Sequence, residues 1–203
     1  MAKENKVDYK QEFLDIYFDK IERDGADKLL EWLERSDFFT APASTKHHSS
    51  YESGLVEHSV KAYHRFIKVL QSEYGDNWAK TCSEESAAII ALLHDVCKVN
   101  LYKVEMRNKK INDKWVQVPY YAVEDSLPYG HGEKSVYIIG GFMKLSREEA
   151  MAINWHMGFA DPRFSFISPL STAFTKFPLA LLFFISDVEA TYLDETRETI
   201  DEE

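Results

Sequence analysis

Cysteine is nearly absent from this chain, with two in 203 residues, Cys82 and Cys97. Two such residues make neither a disulfide framework nor a Cys-x-x-Cys pair, which points to a reducing, cytoplasmic compartment. Proline and glycine are sparse as well, at six and eight, and no internal repeat or low-complexity tract is present. Long apolar runs are missing. The longest, Ala87–Leu93 and Pro178–Ile185, fall far short of the ~20 residues that a membrane-spanning helix needs. The opening residues, Met1-Ala-Lys-Glu-Asn-Lys-Val-Asp, are polar and predict no signal peptide. Positive charge is in deficit, with 24 Lys and Arg against 34 Asp and Glu, a net of −10. Long nucleic acids and anionic membranes both require a basic surface, so neither is expected as a partner.

What is present reads as one ordinary globular domain. Hydrophobic residues make up 45 % and charged residues 29 %, and 14 % aromatics argue against disorder. The periodicity predicts a mainly helical, all-α fold. Two amphipathic helices occupy 9–36, on Phe13, Ile16, Tyr17 and Ile21 and then on Leu29, Leu30, Trp32 and Leu33, with a break at Gly25. A polar loop covers 37–53. A helix opens at Gly54 and ends near Tyr74-Gly75-Asp76-Asn77. Ser83-Glu84-Glu85-Ser86 is a helix-start signal, and the apolar run Ala87–Val96 after it predicts a helix buried on every side.

Alternation at Tyr102–Met106 and Trp115–Val118, with a polar turn over Arg107–Lys114, predicts a β-hairpin inserted at about 101–123. Helices resume at about 132–143 and 146–157. A loop follows over 158–178, then a last helix over 178–193. The organisation is thus residues 1–53 as N-terminal helices and loop, 54–193 as the core, and 194–203 as a frayed acidic tail, all in one structural domain.

Two polar features stand where apolar residues belong. His94-Asp95 lies inside the buried helix expected over Ala87–Val96, and Asp187 lies inside Leu181-Leu-Phe-Phe-Ile-Ser-Asp-Val. Buried carboxylates without partners are expensive. A divalent metal satisfies both acids and the imidazole at once; a His–Asp hydrogen bond that sets helix register is the alternative. His58, His131 and His156 each lie near an expected helix terminus, from which a side chain can reach a shared cleft, and this favours the metal.

The ordered set His58, His94-Asp95, Asp187 resembles the HD-domain superfamily of metal-dependent phosphohydrolases. His94 follows His58 by 36 residues and Asp187 follows Asp95 by 92. Two-metal members carry two further histidines in that second interval, where His131 and His156 stand. The resemblance covers about 54–190. It implies that His58, His94, Asp95 and Asp187 hold a first metal, and that Asp95 bridges to a second held by His131 and His156. It further implies hydrolysis of a phosphate mono- or diester by metal-activated hydroxide. The substrate is expected to be small and phosphorylated, a nucleotide or short oligonucleotide. The cofactor would be one or two divalent ions (Fe, Mn, Zn, Ni, Co or Mg). Some HD-fold proteins use the same six ligands as di-iron oxygenases, and a non-catalytic, metal-stabilised scaffold is the other alternative.

Further residues have weaker claims. Lys98 follows His94 by four and Asp95 by three and is expected on the same helix face. It either stabilises charge on a phosphate, which makes it a catalytic and substrate-binding candidate beside Asp95, or complements the helix dipole. His47, His48 and Arg163 are candidate phosphate contacts or loop residues. Glu133 is an outer partner to His131 or a first-turn acid. His64 reads as surface and Cys97 as a core thiol. Residues 98–114 hold six basic and two acidic side chains, a local +4 that leaves −14 elsewhere. That patch marks an anionic ligand nearby or a solvated hairpin tip. Tyr102, Trp115, Tyr120 and Tyr121 either stack on a base or pack the hairpin. Oligomeric state is not encoded in any of these patterns.

Overall fold

Every residue of Ala87–Leu93 is fully buried. An all-apolar helix is stable only between other elements, and this one organises the rest. The computed structural model describes residues 7–45, 49–161 and 169–195. In order, these form α1 (Tyr9–Lys20), α2 (Ala26–Arg35), α3 (Gly54–Tyr74), α4 (Glu84–Leu93), β1 (Tyr102–Ile111), β2 (Lys114–Val123), α5 (His131–Gly140), α6 (Arg147–Asn154), α7 (Pro169–Lys176) and α8 (Pro178–Glu189). The chain is mostly helical with one two-stranded antiparallel sheet. The long helix α3 lies against α1, α4 and α8, and α6 packs on α4, α5 and α8. No single helix among the described residues is long and apolar enough to cross a membrane.

Local chemistry starts these helices where the sequence places them. Asp8 accepts from the Gln11 amide ahead of α1, and Ser83 accepts from Ser86 ahead of α4. Ser146 and Glu149 form a reciprocal capping box on α6. The buried Glu149 carboxylate also takes two hydrogen bonds from Arg23 and one from Ser86, tying the α1–α2 connection to α4 and α6.

Three expectations change. First, α4 ends at Leu93, so His94-Asp95 is not inside a helix. His94 is its cap, Asp95 leaves helical geometry at φ −106° and ψ 16°, and Val96–Lys98 forms a single 3-10 turn. Neighbours in a regular helix diverge by about 100°. The break lets two adjacent residues face one point, with His94 Nε2 3.4 Å from Asp95 Oδ2. Second, the hairpin strands run through the stretch expected as a turn. Arg107 pairs with Val118 and Ile111 with Lys114, and the connection is only Asn112-Asp113. Both have positive φ, 49° and 60°, the two-residue turn that Asn and Asp accept and that suits strand twist. Third, the expected loop over 158–178 contains α7. Pro169 is its first helical residue, where the missing N–H costs nothing; Pro178 opens α8 in the same way.

Candidate metal centre

The six predicted donors arrive from five helices. His58 comes from the first turns of α3, His94 from the end of α4 with Asp95 in the turn after it, His131 from the start of α5, His156 from just beyond α6, and Asp187 from α8. Asp95 stands at the middle, and its two oxygens divide the set. Oδ2 lies 3.5 Å from His58 Nε2 and 3.4 Å from His94 Nε2. Oδ1 lies 2.8 Å from His131 Nε2 and 3.5 Å from His156 Nε2. Asp187 Oδ1 is 3.1 Å from His58 Nε2 and 3.8 Å from His94 Nε2.

The imidazoles are aimed from behind. His94 Nδ1 donates to the Ala91 carbonyl at 2.9 Å and His156 Nδ1 to the Ile153 carbonyl at 2.7 Å. Each bond leaves Nε2 as the lone-pair nitrogen facing inward, the usual way a ligand histidine is fixed. His58 Nδ1 donates to Glu195 Oε1 at 2.5 Å. Behind the rings, Phe183 packs 5.0 Å from His94 and 5.1 Å from Phe66, centroid to centroid.

The donor set fits a cation. His156 Nε2 and Asp187 Oδ1 are buried and make no hydrogen bond to the described residues. Orphaned polar atoms of this kind cost about 1–3 kcal/mol each. Three overlapping groups have ligand atoms within 4.8 Å of one another: His58, His94 and Asp95; His94, His156 and Asp187; and Asp95, Cys97 and His131. Buried His, Asp and Cys side chains here can therefore hold a metal ion.

The electrostatics are those of a site that gathers charge. Burial pushes the Asp95 carboxyl up, but the Lys98 ammonium and the His94, His131 and His156 rings outweigh it and hold the group well below the usual range. Burial likewise raises Asp187, yet the His58 ring 3.1 Å away, with His94 and His156 beyond it, brings it down to about 2. For His58, burial acts downward and is overcome by Asp187 and Glu195, which raise the imidazole to about 10. Burial lowers His94 and His131. The two ring nitrogens of His58 thus face different carboxylates, Nδ1 that of Glu195 and Nε2 that of Asp187.

Lys98 is not where a regular helix would put it. It is buried on the 3-10 turn, and its Nζ donates to Asp95 Oδ2 at 2.6 Å, so its contact is a ligand candidate. Glu133 accepts from the Gly130 amide at 3.2 Å and serves as the first-turn acid of α5. His64 is half exposed against Glu12. Cys97 is a buried thiol, pushed up to about 12 by burial. Its Sγ nevertheless lies 3.4 Å from His131 Nε2, a contact that its reading as a core residue did not anticipate. His47, His48 and Arg163 lie outside the described residues. In the basic hairpin, Lys103 pairs with Glu124 and Lys110 with Asp113; Asp113 is already counted in the +4, so Glu124 offsets it by one further charge.

Glycine makes the His131–His156 approach possible. A Cβ on Gly132 would fall 2.2 Å from the Asn154 carbonyl oxygen, so only glycine lets α5 begin directly on the end of α6. That contact brings the two rings to 5.2 Å. Gly132→Ala should therefore push α5 away, destabilise the protein by about 1–3 kcal/mol, typical of overpacking, and separate His131 from His156. Thermal denaturation checks this; an unchanged melting temperature would show that the contact is not tight.

Sequence reasoning missed Glu195 and Ser49, which together close the His58 side. An acid in an acidic tail and a serine in a polar loop carry no local signal of that role. Comparison of the chain with protein-family models, curated proteins and solved structures returned no match.

Proposed function

We propose that the chain is a metal-dependent phosphohydrolase, cleaving a phosphate mono- or diester of a nucleotide or short oligonucleotide. The observation that carries this reading is the division of Asp95: one oxygen faces His58 and His94, the other His131 and His156. That is the donor pattern of a carboxylate shared by two cations. It agrees with the resemblance of His58, His94-Asp95, His131, His156 and Asp187 to the HD-domain superfamily.

Divalent ions held by His58, His94, Asp95, His131, His156 and Asp187 would supply Lewis-acid chemistry and a source of hydroxide at neutral pH. The chain's own residues do the rest. His94 and His156 are locked by backbone carbonyls so that no reorientation is needed on binding. Lys98 keeps Asp95 ionised. Phe183 covers the back of the imidazoles and excludes water from that side. His131 is the most open donor, with a side chain 26 % exposed, which puts solvent and substrate access on the α5 side. At the hairpin base a groove of about 400 Å³ is lined by Thr45, Ser50, Val104, Arg107, Tyr120 and Tyr121. The Arg107 guanidinium lies 5.2 Å over the Tyr120 ring. A cation beside aromatic faces suits the phosphate and base of a nucleotide.

The test is elemental analysis followed by phosphate release across nucleotides and short oligonucleotides with each candidate ion. Two metal equivalents and turnover are expected. Added ion at about 100 times its Kd should raise folding stability by about 2.7 kcal/mol, reversed by chelator. A single equivalent would remove His131 and His156 from the ligand set. Oxygen-dependent oxidation of polyols by iron-loaded protein, with no phosphate release, would indicate the di-iron oxygenase. Bound metal with no turnover of any kind would leave a scaffold.

A further inference from the structure

Glu195 lies past the last helix, at the end of a π-helical turn spanning Ala190–Asp194. Its side chain is 0 % exposed, which an acidic residue rarely reaches unless paired. Oε1 accepts from His58 Nδ1 at 2.5 Å, and Oε2 accepts from Ser49 Oγ at 2.6 Å. The turn is secured one residue earlier. The Asp194 carboxylate takes two hydrogen bonds from Arg65, at Nε and Nη2, and its carbonyl accepts from Lys61 Nζ at 2.8 Å. His58, Lys61 and Arg65 stand at the i, i+3, i+7 spacing of one helical face. The segment after α8 therefore lies as a strap along the face of α3 that carries a metal-ligand candidate.

The other imidazoles show why the strap matters. His94 and His156 are oriented by carbonyls three residues back in their own helices. His58 Nδ1 donates the equivalent bond to a carboxylate 137 positions later in the chain.

We propose that Glu195 is a positioning residue for the metal centre. By accepting from Nδ1 it fixes the His58 ring, turns Nε2 toward the cation, and makes the ring a stronger donor than a carbonyl partner would. The strap Ala190–Glu195 thereby becomes part of the site, and metal affinity depends on its docking. The inference rests on the metal-centre reading above, but it needs no catalysis.

The probe is Mn²⁺ alone, titrated into chelator-treated wild-type, Glu195→Ala and Glu195→Gln proteins, with apo melting curves alongside. Loss of an outer partner to a ligand histidine typically weakens metal binding about 10- to 100-fold. Glu195→Ala should show that loss, and Glu195→Gln, whose amide oxygen accepts the same hydrogen bond, should recover part of it. Where the alanine variant does not fold, the glutamine variant carries the test through an affinity below wild type. Wild-type affinity in a folded Glu195→Ala, or equal affinity loss in both variants, overturns the assignment. Failure of the wild-type chain to bind Mn²⁺, Fe²⁺, Co²⁺ or Zn²⁺ overturns the metal reading, and this inference with it.

Discussion

Asp95→Ala is expected to destabilise the metal-free protein by about 3–5 kcal/mol and to abolish metal binding outright. Asp95 is 2 % exposed and lies within 3.5 Å of Lys98 and four imidazole nitrogens. Removing it strands the buried Lys98 ammonium, whose charged form owes its stability to that carboxylate. Breaking a buried pair from one side carries that penalty because the surviving charge is desolvated and unpaired. For a chain of this size it corresponds to a fall in melting temperature of roughly 6–20 °C. The double variant Asp95→Ala/Lys98→Met should regain part of the stability, since replacing both partners by apolar groups is often near neutral, while metal binding stays lost. Melting curves and metal content decide it. A single variant that melts like wild type, or still binds its ion, would refute the central place given to Asp95.

The second large effect is expected at Phe183, which touches no ligand directly by charge or hydrogen bond. Phe183→Ala should cost about 3–5 kcal/mol, the range for a fully buried phenylalanine. The ring is 0 % exposed and fills the space between Phe66 and the His94 and His156 rings. The vacated space would also loosen His94 and His156 from behind, so metal affinity should fall together with stability. Urea unfolding and a Mn²⁺ titration separate the two losses. A change below about 1 kcal/mol would mean that the site collapses to fill the cavity.

Much of this architecture could be read from local pattern. The run Ala87–Leu93 announced a helix buried all round, and it is one. Ser83 announced a helix start by the ordinary capping rule. The candidate donors were legible in two ways, His94, Asp95 and Asp187 as costly polar residues in apolar runs and the set of six by its resemblance to a known pattern, and the structure brings all six together. The missed pieces have specific reasons. Pro169 can break a helix or open one, and only packing of Leu170 and Ala173 decides which. Arg107–Ile111 looked like a turn because its side chains are polar. That outer part of β1 is exposed on both faces, so it has no apolar alternation to display, and its ladder is backbone pairing. Lys98 follows Asp95 by three residues whether or not the helix continues. The unwinding after Leu93 is what turns its ammonium onto the carboxylate.

By itself, then, the sequence determined most of the helices and the hairpin's place, because each follows from propensity and periodicity over a few residues, and its resemblance to a known pattern singled out the candidate His and Asp donors. The tertiary structure alone decided how those donors are held: which nitrogen of each ring faces in, how Asp95 divides its oxygens, and that Glu195 reaches back across the chain to His58. These are contacts between residues far apart in sequence. Their geometry is set by how helices pack and where they unwind, and no local pattern carries that information.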